Sequence, residues 1–295
     1  MRFDVAIIGG SYAGLSAGLQ LARARRQVLV IDAGRRRNRF ASASHGFFGH
    51  DGVPPETLAA LGRDQLLAYP TVEWHEGEAR AVEPVDDGYA VCLGDTSARA
   101  TRIILATGIR DGLPAIPGLE ERWGRHVFHC PYCHGFELDQ GPVGVIASSP
   151  MAVHQAMMLP DWGPTTLFTN GVHAPEGDEL AALDRRGVAL EHTPVARLEG
   201  EGVELVLADG RRISLAGVFV QPRMEMASGL AHQMGLAFEE GPLGAFVQTD
   251  AMKQTSRPGV FACGDMARPA GSVGFAVADG TMAGLAVHRS LIFGL

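Results

Sequence analysis

The sequence lacks several features that would place it outside the ordinary globular class. Four cysteines among 295 residues are too few for the disulfide framework of a small secreted domain. No run of about 18 apolar residues occurs, so the sequence predicts no membrane-spanning helix. It also lacks a basic tract interleaved with aromatic residues, and its net charge is −8, so nucleic-acid binding is not expected.

The first residues show no targeting pattern. Residues 1–10 contain an acid within a short apolar run and no small-residue cleavage site, which favours a buried strand over a signal peptide. We therefore expect a cytoplasmic protein. Hydrophobic residues at 46% and charged residues at 20% are typical of a globular chain, and the length of 295 residues predicts about two domains.

Two segments show the order strand, turn, helix, strand that is typical of a nucleotide-binding unit. In the first, apolar runs at 4–8 and 27–31 flank a helical stretch at 15–25. The second spans residues 143–169 and has the same order. After Gly259 the chain adds a strand, a loop and a long helix that we expect to begin near Val273.

Proline and glycine cluster near 110–118 and near 239–244, and we interpret both stretches as connectors. The second unit is therefore inserted in the first. The sequence predicts an α/β fold of two Rossmann-like dinucleotide-binding domains. The expected boundaries are 1–112 together with 243–295 for the first domain and 116–240 for the inserted one.

The turn between the first strand and the first helix is rich in glycine and contains Gly9-Gly10-Ser11-Tyr12-Ala13-Gly14. In the GxGxxG pattern the glycines permit a tight turn, close backbone approach to a pyrophosphate, and close packing of helix on strand. Ser11 replaces the second glycine with a small residue. Asp32 ends the second strand, where a carboxylate accepts hydrogen bonds from ribose hydroxyls. Together these features predict a dinucleotide site at the helix N-terminus.

The most informative string is Cys130-Pro131-Tyr132-Cys133-His134. Covalent haem attachment uses a CxxCH string, but it needs export and axial ligands. Zinc could draw on both cysteines with His129 and His134, although structural zinc normally uses two separated ligand pairs. A redox dithiol fits best, because cysteines at this spacing close a disulfide and often hold a low-pKa thiolate. His134 would then relay the proton, and no metal site is predicted.

Four strings recur in the order and spacing of one known family: Ile7-Ile8-Gly9-Gly10-Ser11-Tyr12-Ala13-Gly14, Leu105-Ala106-Thr107-Gly108-Ile109, Cys130-Pro131-Tyr132-Cys133-His134-Gly135 and Gly259-Val260-Phe261-Ala262-Cys263-Gly264-Asp265. Through them the chain resembles the low-molecular-weight thioredoxin reductase family of FAD flavoproteins over nearly its whole length. The resemblance implies FAD in the first domain, an inserted pyridine-nucleotide domain that carries the cysteine pair, and a homodimer.

The resemblance also implies roles for individual residues. Cys133 is expected to face the flavin and form a charge-transfer thiolate, while Cys130 exchanges with the substrate sulfur. Asp265 is expected to bind the ribityl chain or pyrophosphate. Ser272 and Val273 would lie near the flavin, at a helix N-terminus that stabilises its reduced form. The other expected cofactor contacts are Gly9, Ser11, Tyr12, Ala13, Gly14, Asp32, Ala33, His45, Ala79, Ala106, Thr107, Gly108 and Gly264.

One departure from the family pattern concerns the residue after the second cysteine. The family has an aspartate there, and this chain has His134. The string Cys133-His134-Gly135-Phe136-Glu137 is more similar to the branch that includes sulfhydryl oxidases of dithiol natural products, which pass electrons to oxygen. For the basic run at 35–37, beside the expected adenosine end of FAD, a solvated surface is the favoured interpretation, and contact of one of these arginines with an FAD phosphate is the alternative.

The second departure lies in the inserted domain, where the expected glycine turn is replaced by Ala147-Ser148-Ser149-Pro150-Met151-Ala152. Ala147 resists a turn that needs positive φ, and Ser149 places a side chain where a pyrophosphate would approach. The following strand ends without a carboxylate, and the His-Arg-Arg cluster that the family uses for NADP is missing. We expect weak or absent NAD(P)H binding, with tolerated substitution at lowered affinity as the alternative.

The sequence thus predicts an FAD-dependent disulfide/dithiol oxidoreductase of thioredoxin-reductase type. Its substrate would be a thioredoxin-like protein or a small dithiol or disulfide, with oxygen or another redox protein as electron partner. Two alternatives stay open, namely an oxygen-dependent oxidase of small dithiols and a flavin-binding redox sensor without efficient turnover. The sequence does not determine the substrate or the direction of electron flow.

Overall fold

The computed structural model describes residues 2–294 as two large sheets with helices on their faces and three small sheets beside them. The strands are, in chain order, β1 (Arg2–Ile8), β2 (Val28–Asp32), β3 (Val72–Glu76), β4 (Ala81–Val85), β5 (Gly88–Leu93), β6 (Thr96–Leu105), β7 (Ile109–Gly112), β8 (Val127–Phe128), β9 (Val143–Ile146), β10 (Thr165–Phe168), β11 (Ala189–Glu191), β12 (Val195–Glu199), β13 (Val203–Leu207), β14 (Arg212–Leu215), β15 (Gly217–Val220), β16 (Arg223–Met226), β17 (Phe238–Gly241), β18 (Gly244–Val247) and β19 (Val260–Ala262). The helices are α1 (Tyr12–Arg23), α2 (Pro55–Leu67), α3 (Pro131–His134), α4 (Ala152–Met158), α5 (Gly177–Arg185), α6 (Leu230–Gln233) and α7 (Val273–Phe293).

The larger sheet joins the two ends of the chain. Its strand order is β3-β2-β1-β6-β5-β4, and β19 pairs in parallel with β6. β1 lies parallel to β2 and β6, while β4, β5 and β6 are antiparallel. Helices cover both faces at the parallel end, so the second half of β1, from Val5 to Ile8, is apolar without alternation, and Val5 and Ile7 are fully buried.

The second sheet is formed only by the middle of the chain. It has the order β11-β10-β9-β15-β8, and all its pairings are parallel. An antiparallel sheet of β12, β13 and β14 packs beside it through a shared apolar core. The fold prediction is confirmed, because one Rossmann-like unit is inserted between the strands of another. The precise domain limits remain a prediction.

Both stretches interpreted as connectors contain strands. β7 falls largely within the first one and pairs antiparallel with β16. The second one falls within the hairpin of β17 and β18. The pairing of β7 with β16, and of β17 with β18, lets the backbone N–H and C=O groups of these segments bond to one another instead of to water. Proline and glycine content alone does not reveal this pairing.

The long helices α1 and α7 pack unusually closely. A Cβ at Gly280 of α7 would lie 2.0 Å from the Ala13 carbonyl oxygen, and one at Gly284 would lie 2.6 Å from the Ala17 carbonyl oxygen. Small residues at these positions let the two backbones approach, which brings the N-termini of both helices to one end of the large sheet. Within residues 2–294, no helix combines the length and apolar composition that a membrane crossing needs.

Candidate active site

The first strand-to-helix turn has the backbone that a bound dinucleotide requires. Gly9 has a φ of +110°, and a Cβ there would lie 2.2 Å from the Ala106 carbonyl oxygen. A Cβ at Gly14 would lie 1.8 Å from the Gly9 carbonyl oxygen. The N–H of Gly10 donates to Asp32 Oδ1 at 3.1 Å, which fixes the carboxylate beside the turn. Only glycine fits at both ends of this turn.

A cleft opens at the carboxyl ends of the parallel strands β1, β6 and β19. This is where open α/β sheets bind their ligands. The cleft brings together most of the predicted site residues, namely Ser11, Tyr12, Ala13, His45, Ala106, Thr107, Gly108, Cys130, Cys133, His134, Gly264, Asp265, Ser272 and Val273. Five predicted residues do not line it. Gly9, Gly14 and Asp32 shape the turn, Ala33 is exposed, and Ala79 packs against the sheet core.

The cleft fits a flavin dinucleotide. Gly108 has a φ of +68° and open space where a side chain would be, so its backbone faces the cleft. Arg36 lines the cleft, and its Nε is buried without a hydrogen-bond partner among residues 2–294. A bound anionic group would satisfy such a donor. Ser272 caps α7 by accepting the Phe275 N–H at 3.1 Å, so the α7 N-terminus points into the same space.

The two cysteines face each other at the edge of this cleft. Cys130 follows β8 and caps the short helix α3, where Pro131 takes the first position without losing a hydrogen bond. The Sγ atoms of Cys130 and Cys133 lie 2.8 Å apart, and Cys133 donates to Cys130. Within residues 2–294, no cluster of three or more His, Cys, Asp or Glu side chains is arranged to hold a metal ion.

The two thiols are electrostatically unequal. The hydrogen bond from Cys133, together with backbone N–H groups of Tyr132 and Cys133, lowers the pKa of Cys130 to about 7 although burial opposes it. The hydrogen bond to Cys130 and burial raise the pKa of Cys133. In the reduced pair these interactions favour the thiolate on Cys130, the sulfur that the resemblance assigns to exchange with the substrate.

Histidines lie on both sides of the pair. His134 stacks on Phe128 with ring centroids 4.4 Å apart, and neither ring nitrogen has a partner among residues 2–294. Burial lowers its pKa. Burial and the nearby charge of Arg37 lower the pKa of His129 to about 4. Both rings are neutral at pH 7, and the proton relay of His134 stays a prediction.

His45 connects the loop after β2 to the segment that follows the cysteines. Its Nε2 lies 3.4 Å from Glu137 Oε1, and its Nδ1 lies 3.5 Å from Asp51 Oδ1. The side chain is about one-fifth exposed, at 22%. His45 therefore lies between the part of the cleft that is expected to hold the flavin and the cysteine pair. Its expected flavin contact stays a prediction.

Comparison with known proteins identifies the family to which this site belongs. The model of the pyridine nucleotide-disulphide oxidoreductase family matches residues 3–280. The chain belongs to this family. The thioredoxin reductase tcpT of Claviceps purpurea is 32% identical over 98% of this chain and 94% of its own length.

Two solved structures are similar over the whole fold. The oxidoreductase from Agrobacterium tumefaciens is 55% identical with a TM-score of 0.97 and covers 100% of both chains. The putative thioredoxin reductase TrxB from Bacillus anthracis is 29% identical with a TM-score of 0.90 and covers 98% of both chains. The chain is therefore a thioredoxin reductase-like oxidoreductase that acts on sulfur groups, and its family implies FAD.

The oxidoreductase cleft also contains a residue whose setting the sequence did not indicate. The solvated interpretation of the basic run holds for Arg35, which pairs with Glu78 at the surface, and is wrong for Arg37. Arg37 is largely buried and pairs with both Asp111 and Asp265. Asp111 is distant in sequence, so no local pattern could have revealed the pair.

The turn of the inserted unit has a different backbone from the first. Ala147 directly follows β9 without positive φ, and Ser148 Oγ donates to the Gln221 carbonyl oxygen at 2.7 Å. Pro150 has no N–H to offer a phosphate. Asn170 follows β10, and its Oδ1 accepts the Val195 N–H at 2.9 Å. The turn itself contains no glycine between Ala147 and Ala152, and Asn170 stands where a ribose-binding carboxylate would follow β10.

Proposed function

We propose that this oxidoreductase exchanges electrons between bound FAD and the Cys130–Cys133 pair, and between that pair and an external disulfide or dithiol, with weak or no use of NAD(P)H. The observation that carries the proposal is the shared cleft, because Cys130 and Cys133 line the same cleft as most of the expected flavin contacts. The expected FAD contacts and the domain limits 1–112 with 243–295 and 116–240 form part of this proposal.

The chemistry at sulfur follows from the unequal thiols. In the oxidative direction, a substrate thiolate attacks Cys130 Sγ of the enzyme disulfide, and Cys133 leaves as a thiolate. The second substrate thiolate attacks the substrate sulfur of the mixed disulfide, which releases Cys130 as the more stable thiolate. Two electrons have then passed from the substrate to the pair, and bound FAD supplies the two-electron acceptor. The reductive direction reverses each exchange.

His134 is the proposed acid and base of these exchanges. Its neutral ring at pH 7 can take a proton from a substrate thiol or from Cys133, and return it in the reverse direction. Glu137 raises the pKa of His134, which opposes the effect of burial. The expected charge-transfer role of Cys133 belongs to the flavin-bound protein and stays a prediction.

Oxidation of small dithiols by oxygen is the second candidate function, and the rim of the cleft favours it. Tyr132, between the cysteines, is 70% exposed, and Phe136, three residues after the pair, is 86% exposed. Exposed aromatic side chains beside a reactive pair suit an apolar small molecule that carries its own sulfurs. The altered second turn also favours an electron partner other than NAD(P)H, either oxygen or another redox protein.

A homodimer is proposed as well. One face of α7 exposes Phe275, Met282, Leu285 and Ile292, at 50%, 39%, 45% and 52%. Their spacing follows the three-and-four repeat by which helices pack against each other. An exposed apolar stripe of this kind supports a second subunit that packs against α7. Sedimentation of the purified protein tests whether it is a dimer.

An anaerobic titration tests the proposed function. The oxidised, flavin-loaded protein is mixed separately with NADPH, NADH and a small dithiol, and the flavin absorbance is followed. We expect prompt bleaching by the dithiol and little bleaching by either nucleotide. Bleaching by stoichiometric NADPH would contradict weak nucleotide use and leave an ordinary thioredoxin reductase.

Variants of the pair separate turnover from sensing. With dithiol and air, the native protein should release peroxide repeatedly, because the pair returns to its oxidised state in every cycle. Cys130→Ser and Cys133→Ser should each lose at least about 100-fold of this turnover, since each lacks a sulfur that the exchange requires. Cys92→Ser is the matched control and should keep it, because Cys92 is a free cysteine on β5 that does not line the cleft. A native protein without repeated turnover would instead support a flavin-binding sensor.

A further inference from the structure

The guanidinium of Arg37 is held on two sides. Its Nη2 donates to Asp111 Oδ1 at 2.6 Å, and its Nε lies 3.0 Å from Asp111 Oδ2. Its Nη1 donates to Asp265 Oδ2 at 2.9 Å. The exposed side-chain fractions are 23% for Arg37, 8% for Asp111 and 19% for Asp265. A two-pronged bond of this kind fixes the plane of the guanidinium as well as its position.

These three residues come from separate parts of the chain. Arg37 lies in the loop after β2, Asp111 lies on β7, and Asp265 follows β19. β7 pairs with β16 where the chain passes between the two units. The cluster therefore ties this crossing to the cofactor end of the large sheet.

The cluster faces the dithiol. Arg37, Asp111 and Asp265 line the same cleft as Cys130 and Cys133. The charge of Arg37 acts to lower the pKa of each thiol, although the hydrogen bond between the sulfurs is the larger influence on both. The other titratable or charged groups that line the cleft or act on the pair are Tyr12, Arg35, Arg36, His45, His129, His134, Glu137 and Cys263.

We propose that Arg37 is a positioning residue of the dithiol: its guanidinium, fixed between Asp111 and Asp265, holds a positive charge in the cleft that Cys130 and Cys133 line and lowers the pH at which the pair becomes reactive. The same contact turns Oδ2 of Asp265 toward Arg37. Oδ1, the other oxygen of that carboxylate, makes no hydrogen bond to residues 2–294 and stays available to a cofactor hydroxyl.

The charge of Arg37 matters because two histidines that line the cleft with the pair, His129 and His134, add little positive charge at neutral pH. His129 and His134 are neutral there, and Glu137 acts on Cys133 in the opposite sense by favouring its thiol. Arg37 keeps its charge at every pH of interest. Loss of one such charge from a half-buried site is expected to move the titration of a nearby thiol by about one pH unit.

The test is the pH dependence of alkylation in the reduced, flavin-loaded protein. Iodoacetamide is added under anaerobic conditions at a series of pH values from about 5 to about 9, a range that brackets a thiol pKa near 7. Peptide mass analysis then measures the alkylation of Cys130 at each pH. Arg37→Met should raise the alkylation midpoint by about one pH unit, and Arg37→Lys should restore most of the difference. Arg110→Met is the matched control, because Arg110 pairs with Glu225 at the surface of the same small sheet.

A second variant should move the midpoint in the opposite direction. Asp111→Asn removes a negative charge while Asp265 still holds Nη1 of Arg37, so Cys130 should be alkylated at lower pH. A general loosening of the site would not produce shifts of opposite sign. If both Arg37→Met and Asp111→Asn keep the native pH midpoint of alkylation, the proposal is overturned. If Arg37→Met does not fold, an unchanged midpoint in Asp111→Asn is enough to overturn it. The assay measures thiol reactivity, so the outcome stands even if the proposed turnover fails.

Discussion

The two nucleotide-type turns of this chain occupy the same place in the same topology and differ in backbone. The first has Gly9 at a φ of +110° and Gly14 packed against the Gly9 carbonyl. The second has Ala147 without positive φ and a buried Ala152 at the matching positions. Both units keep their strands and helices, so the fold does not depend on the glycines. Backbone space for a pyrophosphate does depend on them.

The residues after the next strand show the same contrast. Asp32 ends β2, and its carboxylate receives the Gly10 N–H, which leaves acceptor capacity for a ribose. Asn170 follows β10 with its side-chain oxygen bonded to the Val195 N–H. In the first unit Asp32 accepts a hydrogen bond from the glycine turn. In the second unit Asn170 accepts one from the first residue of β12.

The largest expected effect comes from breaking the first turn. Gly9→Ala forces a side chain into positive φ and against the Ala106 carbonyl, at a cost of about 2–6 kcal/mol. We expect the purified protein to lose its bound flavin and its yellow colour, and its unfolding midpoint to fall. Visible flavin absorbance and urea denaturation measure the two effects.

Gly94→Ala is the matched control for this change. Gly94 also has positive φ, at +73°, but a Cβ there would meet nothing within 4 Å. It should lose only about 1 kcal/mol of stability and keep its flavin. Equal flavin loss in both variants would mean that general destabilisation, and not close backbone approach, empties the first site.

The prediction with an intermediate effect concerns a histidine of the second unit whose pKa is lowered partly by a charge of the first, and how much stability it costs at low pH. His129 belongs to the inserted segment, yet burial and Arg37 hold its pKa at about 4. The unfolded chain takes up this proton near pH 6.5, so between about 6.5 and 4 the unfolded state binds more protons and stability falls as the pH falls. The expected loss is about 3 kcal/mol across that window, seen as a drop in urea midpoint.

His129→Gln should flatten this part of the stability profile, because glutamine has no proton to gain. His154→Gln is the control, since His154 is exposed on α4 of the same unit. A His129→Gln profile that falls as steeply as the native one would assign the acid sensitivity to other groups.

Local patterns in the sequence predicted those parts of the molecule that depend on neighbouring residues. The glycine turn, the cysteine pair and the helix beginning at Val273 each have a short sequence signature, and the structure brings these segments to one cleft. The pairing of β7 with β16 and the ion pair of Arg37 with Asp111 have none. Each joins residues far apart in the chain, and their partners become visible only after folding. For the same reason Arg37 was assigned to the solvated surface.

The smallest expected effect comes from rebuilding the second turn. Ala147→Gly with Ser149→Gly restores backbone freedom, and Asn170→Asp adds the missing carboxylate while its oxygen can still accept the Val195 N–H. Each of the three substitutions should improve NADH binding by about 0.5 kcal/mol, giving roughly a tenfold gain from the triple variant by fluorescence titration. Pro150 still withholds one N–H, so affinity should stay below that of an intact turn. A gain of several hundredfold would mean that these side chains alone had blocked an otherwise competent site, and no gain at all would place the defect in the surrounding surface. Either result would show how far the two turns have diverged beyond their glycines.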